Sequence, residues 1–137
     1  MNRDCPFCRI VDGDEPAHVV YEDEDTIAFL DDNPAIEGHV LVVPKAHRVE
    51  LLEDERSSDA VFRTVRIVAS GLKRTLDVDG FSVLHSTGSL VGTVTHAHVH
   101  VLPRSEDDDV TISLVRDRLD DAEAKRLAGR IRSTVTA

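Results

Sequence analysis

Apolar residues recur along this chain with two periods, and the switches between them mark its elements. Val61, Val65, Val68 and Leu72 fall at helical spacing, so the pattern predicts a main helix from Asp59 to about Leu76, with Ser57, Ser58 and Asp59 as capping candidates. Val19–Tyr21 and Thr26–Leu30 read as short strands joined by the acidic turn Glu22–Asp25. Val40–Val43 is apolar at every position and ends at Pro44, as a strand covered on both faces would be. Gly80–Leu84 and Val94–Leu102 read as the last strands. Cys5 to about Asp12 can form a short helix that Gly13 stops. From Asp120 to about Thr134, Ala124, Leu127, Ala128 and Ile131 make an amphipathic stripe behind a capping pair, Asp120 and Glu123. The sum is an α+β chain: an antiparallel sheet of about five strands, one long helix across it, and a helix near each end.

Within the last strand the polar positions are unusual. His96, His98 and His100 alternate with Ala97, Val99 and Val101. Side chains in a strand point to opposite faces in turn, so the three imidazoles share one face and an apolar surface backs them. Imidazole is the one side chain with a large neutral fraction at neutral pH, and its free ring nitrogen can attack phosphorus without a separate base. The row fits a phosphate-directed nucleophile, a metal site or a histidine-rich surface strand equally well on composition alone.

The segment His96-Ala97-His98-Val99-His100-Val101-Leu102 resembles the H-x-H-x-H motif, followed by two apolar residues, of the histidine-triad (HIT) family of nucleotide hydrolases and transferases. Pro103-Arg104 is similar to its Fhit-type branch. Two upstream blocks resemble HIT segments in order and separation: Tyr21 to Asp31, and Gly38-His39-Val40-Leu41-Val42-Val43-Pro44-Lys45-Ala46-His47. The resemblance spans about residues 5 to 104, leaving 105–137 as a C-terminal extension of a single domain. It implies that His98 is the nucleophile, that His100 and His39 lie at the phosphate, and that Asp31 holds ribose hydroxyls. Phe7, Ile10, Phe29 and Leu41 fall at base-pocket positions, where ordinary core would also place them. Thr93 falls at the hydroxyl position of the loop before the motif, and Gly92 offers a backbone N–H free of a Cβ. Many Hint- and Fhit-type members carry glutamine at the position of Gly92, and Hint-type members carry asparagine at that of His85. Both departures bear on substrate and leaving group.

Cys5 and Cys8 are the only cysteines, at a spacing that suits a tetrahedral zinc whose remaining ligands are typically histidines. A redox dithiol and a pair of buried free thiols are the rivals; the redox motif should follow a strand, and only four residues precede Cys5. Zinc-containing HIT proteins and the related galactose-1-phosphate uridylyltransferases resemble the chain here, which implies His47 and His96 as the other ligands and zinc as a structural cofactor.

A formal charge of −10, from 16 basic and 26 acidic residues, argues against nucleic acid as a partner, since binding its backbone needs clustered cations. The low lysine and high aspartate content resembles that of proteins from salt-loving organisms. No apolar run is long enough to span a membrane and no basic segment leads into an apolar stretch, so a cytoplasmic chain with no membrane partner is expected. The resemblance implies a hydrolase or nucleotidyl transferase acting at the α-phosphate of a purine nucleotide, a nucleoside phosphoramidate or a dinucleoside polyphosphate, in a homodimer. The alternative is a non-catalytic nucleotide-binding or zinc-stabilised interaction module. An aprataxin-like enzyme acting on nucleic-acid ends fits the acidic surface less well.

Overall fold

The structure, a computed structural model, describes residues 3–87 and 94–135. Five strands form one fully antiparallel sheet: β1 (Val19–Glu22), β2 (Thr26–Leu30), β3 (Val40–Pro44), β4 (Gly80–Leu84) and β5 (Val99–Arg104), in the order β1-β2-β3-β5-β4. Helices α1 (Pro6–Val11), α2 (Glu55–Thr75) and α3 (Asp121–Thr134) complete the elements, with a 3-10 turn at Leu51–Glu53. These are the α+β class and the strand count that the apolar periods predict.

The alternation along β2, β3 and β5 divides the core between the two faces of the sheet. Ala28, Val40, Val42, Val99 and Val101 pack with Val61, Val65 and Val68 of α2, while Ile27, Phe29, Leu41 and Val43 pack with Cys5, Phe7 and Cys8 around α1. Every residue of β3 is buried, which is why its sequence is an unbroken apolar run. A buried hydroxyl pair, Thr26 Oγ1 and Thr64 Oγ1 at 2.7 Å, ties β2 to α2. Asp23 closes the β1–β2 turn by accepting from the N–H groups of Asp25 and Thr26, both at 2.8 Å.

Two boundaries differ from the sequence expectation. Helix α2 begins four residues earlier than Asp59, because Asp54 caps it by accepting from the Ser57 N–H and hydroxyl, and Ser57 becomes a buried residue inside the first turn. Strand β5 begins at Val99, not Val94. The β3–β5 ladder stops at Val42 opposite Val99, although β3 runs on to Pro44 in its pairing with β2 and the Ala97 N–H donates instead to Arg48 O. Residues 95–98 are held by other means, described below.

Two glycines take left-handed backbone. Gly13 (φ +78°) stops α1 as expected, its N–H donating to Ile10 O. Gly38 (φ +86°) leads into β3, and a Cβ there would lie 2.7 Å from Leu76 Cδ1 and 3.1 Å from Pro103 Cγ. The C-terminal segment is unlike the rest. Arg104 holds its start, donating to Asp108 at 2.6 and 3.2 Å, to Ser82 Oγ and to Val110 O. Beyond residue 110 the chain carries no helix or strand until α3, which buries none of its residues. Asp120 caps α3 through the Glu123 N–H, as the sequence pattern predicts.

Candidate functional site

The α1 face of the sheet gathers all the histidines of the triad. His100 sits opposite Leu41 in the β3–β5 ladder, and His98 and His96 precede β5 on the same side, against Phe7. The alternation predicted for the row therefore persists past the end of the regular strand, with Ala97 and Val99 turned into the α2 core.

Hydrogen-bond partners set the protonation of each ring. His98 Nδ1 lies 2.8 Å from His96 O. A carbonyl only accepts, so Nδ1 carries a hydrogen, and in the neutral ring the lone pair is on Nε2. His39 Nδ1 accepts from the Ala35 N–H at 3.0 Å, so the neutral ring carries its hydrogen on Nε2, 2.9 Å from His100 Nδ1. His100 is then the acceptor on Nδ1 and presents an N–H at Nε2. Burial pushes His39 below the ordinary imidazole range against the opposing pull of Asp31, whose Oδ2 is 3.5 Å from His39 Nε2. His100 is pushed down to about 4, by burial first and then by His98 and His39. Both rings are therefore neutral at pH 7. Asp31, His39 and His100 lie close enough to share an ion. His39, however, would need to lose its one ring proton to ligate through Nε2 while Nδ1 accepts from Ala35, so their arrangement is that of a proton-ordered chain.

A second cluster is donor-only in character. Cys5 Sγ, Cys8 Sγ, His47 Nδ1 and His96 Nδ1 lie within 4.8 Å of one another, and all but His47 are buried. His96 Nε2 is 2.7 Å from Pro44 O, so it carries the hydrogen and turns the Nδ1 lone pair to the thiols. The nitrogens are 3.2 Å apart, and the sulfur–nitrogen separations are 3.2, 3.4 and 3.5 Å. A tetrahedral zinc with bonds of about 2.0 Å to nitrogen and 2.3 Å to sulfur places such atoms about 3.3 and 3.5 Å apart. The four residues fit the ion in both chemistry and spacing, and a zinc there would cross-link α1 to the segment before β5.

The remaining expected residues fall as follows. Phe7, Phe29 and Leu41 are buried in one cluster, Phe7 and Phe29 edge to face with centroids 5.6 Å apart, and Ile10 packs beside them half-exposed. Asp31 follows β2 and is bound to the site through His39. Gly92 and Thr93 lie outside the described residues. Sequence reasoning marked His85 only as a departure. In the structure its Nδ1 is 2.9 Å from His98 O, so it holds the peptide of the central histidine, while its buried Nε2 has no partner among the described residues. A histidine directly after a strand that borders the triad was the available signal. The Ala35 N–H and Pro44 carbonyl, which order the protons, are backbone groups with no sequence mark.

With this geometry in view, comparison with known proteins is direct. The HIT domain profile matches residues 12–107. The chain belongs to the HIT family. A protein from Streptococcus mutans, SMU.412c, superposes with a TM-score of 0.90 at 37% identity, over 97% of this chain and 86% of that one. A zinc-bound histidine triad family protein from Mycobacterium smegmatis gives 0.74 at 33% identity, over 96% and 97%. Among curated sequences, the adenylylsulfatase HINT3 of Arabidopsis thaliana is 34% identical over 137 residues, which is 96% of this chain and 70% of that protein.

Proposed function

We propose that this chain is a HIT-type hydrolase or nucleotidyl transferase that cleaves purine nucleotide substrates at the α-phosphorus through a nucleotidyl-His98 intermediate. The observation that carries the reading is the 2.8 Å bond from His98 Nδ1 to His96 O, which in the neutral ring selects Nε2 as the nitrogen with the lone pair. In the first step Nε2 attacks phosphorus, an N–P bond forms, and the leaving group departs with the pair of the bond it loses. In the second, water attacks, the N–P bond breaks with its electron pair returning to Nε2, and the proton of the water is released. His100 Nε2–H donates to a phosphate oxygen, its direction fixed through His39 by the Ala35 N–H. Asp31 takes the ribose hydroxyls, and Phe7, Ile10, Phe29 and Leu41 flank the base. The resemblance assigns further phosphate contacts to Thr93 and the Gly92 N–H, which lie outside the described residues. A relative named as an adenylylsulfatase supports an adenylylated substrate, a class to which nucleoside phosphoramidates and dinucleoside polyphosphates also belong.

Zinc at Cys5, Cys8, His47 and His96 is part of the same reading, supported by the ligand spacing and by the zinc-bound relative. Bound there, the ion would supply a structural cross-link with no open coordination position. A homodimer is supported by the C-terminal segment. Ile112, Leu114, Val115, Leu119, Leu127, Ile131 and Val135 are each about half exposed or more. They present on the order of 800 Å² per chain, so two reciprocal segments match the total of about 1,600 Å² in a standard stable interface. Helix α3 also carries four basic residues against two acidic ones in a chain of charge −10, which favours docking on a second copy. Among the described residues no helix is long and apolar enough to cross a membrane.

The test is His98→Ala assayed against a panel of AMP-linked substrates. Hydrolysis is expected to vanish with AMP binding retained, and the parent protein, quenched during turnover, should gain the mass of one adenylyl group. Persistent turnover in the variant removes His98 from the nucleophile role.

A further inference from the structure

We propose that the Cys5, Cys8, His47 and His96 cluster is the positioning device of His98, setting which nitrogen of that ring carries the proton and where the ring points. This rests on the zinc and nucleophile readings above and adds a coupling between them.

The starting point is where the sheet ends. Ladder pairing of β5 begins at Val99 with Val42 on one side and at His100 with Leu84 on the other, so no strand partner fixes residue 98. Its ring hydrogen is held by the carbonyl of His96, a residue whose own imidazole is fully buried with Nδ1 aimed at the two thiols and at His47. Its ring face is held by Phe7, which lies between the two cysteines in sequence. The Phe7 centroid is 5.2 Å from His98 and 5.8 Å from His96, edge-on to both. The intervening Ala97 N–H donates to Arg48 O at 2.6 Å, one residue beyond His47. Among the described residues two contacts come from outside this group, the bond from His85 Nδ1 to His98 O and the His100 ring, whose centroid lies 5.1 Å from that of His98. Three of these five restraints on the nucleophile are thus borne by a ligand of the cluster or by its immediate chain neighbour.

The consequence follows from rigidity. A tetrahedral ion fixes four side chains from three separate segments at once. Without it, α1 is joined to residues 95–98 by weak thiol and imidazole contacts and the packing of Phe7, while the 44–48 segment keeps its bonds from the His96 Nε2–H and the Ala97 N–H. Loss of an outer partner of a metal centre typically changes function by about 10- to 100-fold. Here the dependence runs the other way, from the metal centre outward to its neighbour, and a similar range is expected. Cys5, Cys8, His47, His96 and Phe7 act as positioning residues for His98.

The experiment uses full-length protein labelled with ¹⁵N-histidine, once metal-loaded and once stripped with a chelator, with folding checked by circular dichroism. Loaded protein should show His98 as a single Nδ1–H tautomer. Stripped protein should show averaged His98 ring shifts and a kcat about 10- to 100-fold lower, with AMP affinity changed far less. In parallel, Phe7→Leu keeps all four ligands. It should hold a full equivalent of zinc and still broaden the His98 resonances and lower kcat, while any effect on KM reports base contacts. A stripped, folded protein that keeps the tautomer and kcat overturns the inference. If stripping unfolds the chain, unchanged His98 resonances and kcat in zinc-loaded Phe7→Leu overturn it instead. A protein that takes up no zinc defeats the metal reading and this one with it. A metal-loaded protein with an indifferent His98 defeats this one alone.

Discussion

Replacing Gly38 by alanine probes how the fold delivers His39 to the site. Gly38 has φ +86°, a conformation that costs an alanine roughly 1 kcal/mol or more. The added Cβ would stand 2.7 Å from Leu76 Cδ1, 3.1 Å from Pro103 Cγ and 3.3 Å from Leu72 Cδ2, against the 3.5 to 4.0 Å at which carbon atoms attract. The leucine methyls can move, but Pro103 belongs to β5 and is buried, so the backbone before β3 must also shift. Overpacking of this kind costs about 1 to 3 kcal/mol, which brings the total to about 2 to 4 kcal/mol. Urea unfolding should show the midpoint falling with an unchanged m-value. Gly71→Ala is the matched control: it lies in α2, its Cβ meets nothing within 4 Å, and it should stabilise by about 0.5 to 1 kcal/mol. The shift should also reach the site, because the Asp31 N–H donates to His39 O at 2.9 Å and the Asp31 carboxylate faces the same ring. A Gly38→Ala protein within 0.5 kcal/mol of the parent would refute this account of the β3 entry.

Other predictions follow from the same structure. His100 is neutral in the fold with a pKa near 4, against about 6.5 when unfolded, so its contribution is present above pH 6.5 and lost as pH falls towards 4. With the site partly solvated, a loss on the order of 1 to 2 kcal/mol is expected between pH 7.5 and 4.5, and His100→Gln should lose less than the parent in paired urea titrations. Thr64→Val removes one of the two partners of the Thr26 hydroxyl, which keeps its 3.2 Å bond to Asp23 Oδ1, and should cost about 1 kcal/mol. The double change with Thr26→Val should cost less than the sum, and strict additivity in the cycle would show that the two hydroxyls do not interact. Leu127→Glu with Ile131→Glu should convert a dimer to a monomer by light scattering at constant secondary structure, and a parent that is itself monomeric ends the dimer reading.

Much of this architecture is visible along the chain because its signals are local. The unbroken run Val40–Val43, the stripe from Val61 to Leu72 and the cap at Asp120 each depend on a few adjacent residues, and each appears where its pattern predicts. The gathering of Cys5, Cys8, His47 and His96 was expected from family resemblance, not from spacing alone. What stayed hidden depends on partners distant in sequence. The start of β5 is set by where its pairing with β3 ends, at Val42 more than fifty residues away, and a β-rich run at Val94–Thr95 carries no sign of it. The order of protons through Ala35, His39 and His100 depends on a backbone N–H that any residue type would supply. The His85 contact with His98 O requires knowing that β4 ends beside the residues before β5. The start of α2 was misplaced because Asp54 competed with three equally suitable capping residues that follow it.

The two-sided burial of residues 97 to 101 has a consequence for how this protein tolerates change. Odd-numbered positions there look towards α2 and serve thermal endurance, whereas His98 and His100 look towards α1 and serve the proposed chemistry. A saturation survey across the segment, scored separately for abundance and for turnover, should return two profiles that beat every second residue and are out of step with each other. Under the proposed activity, selection could then retune substrate preference without first having to rebuild the scaffold that carries it.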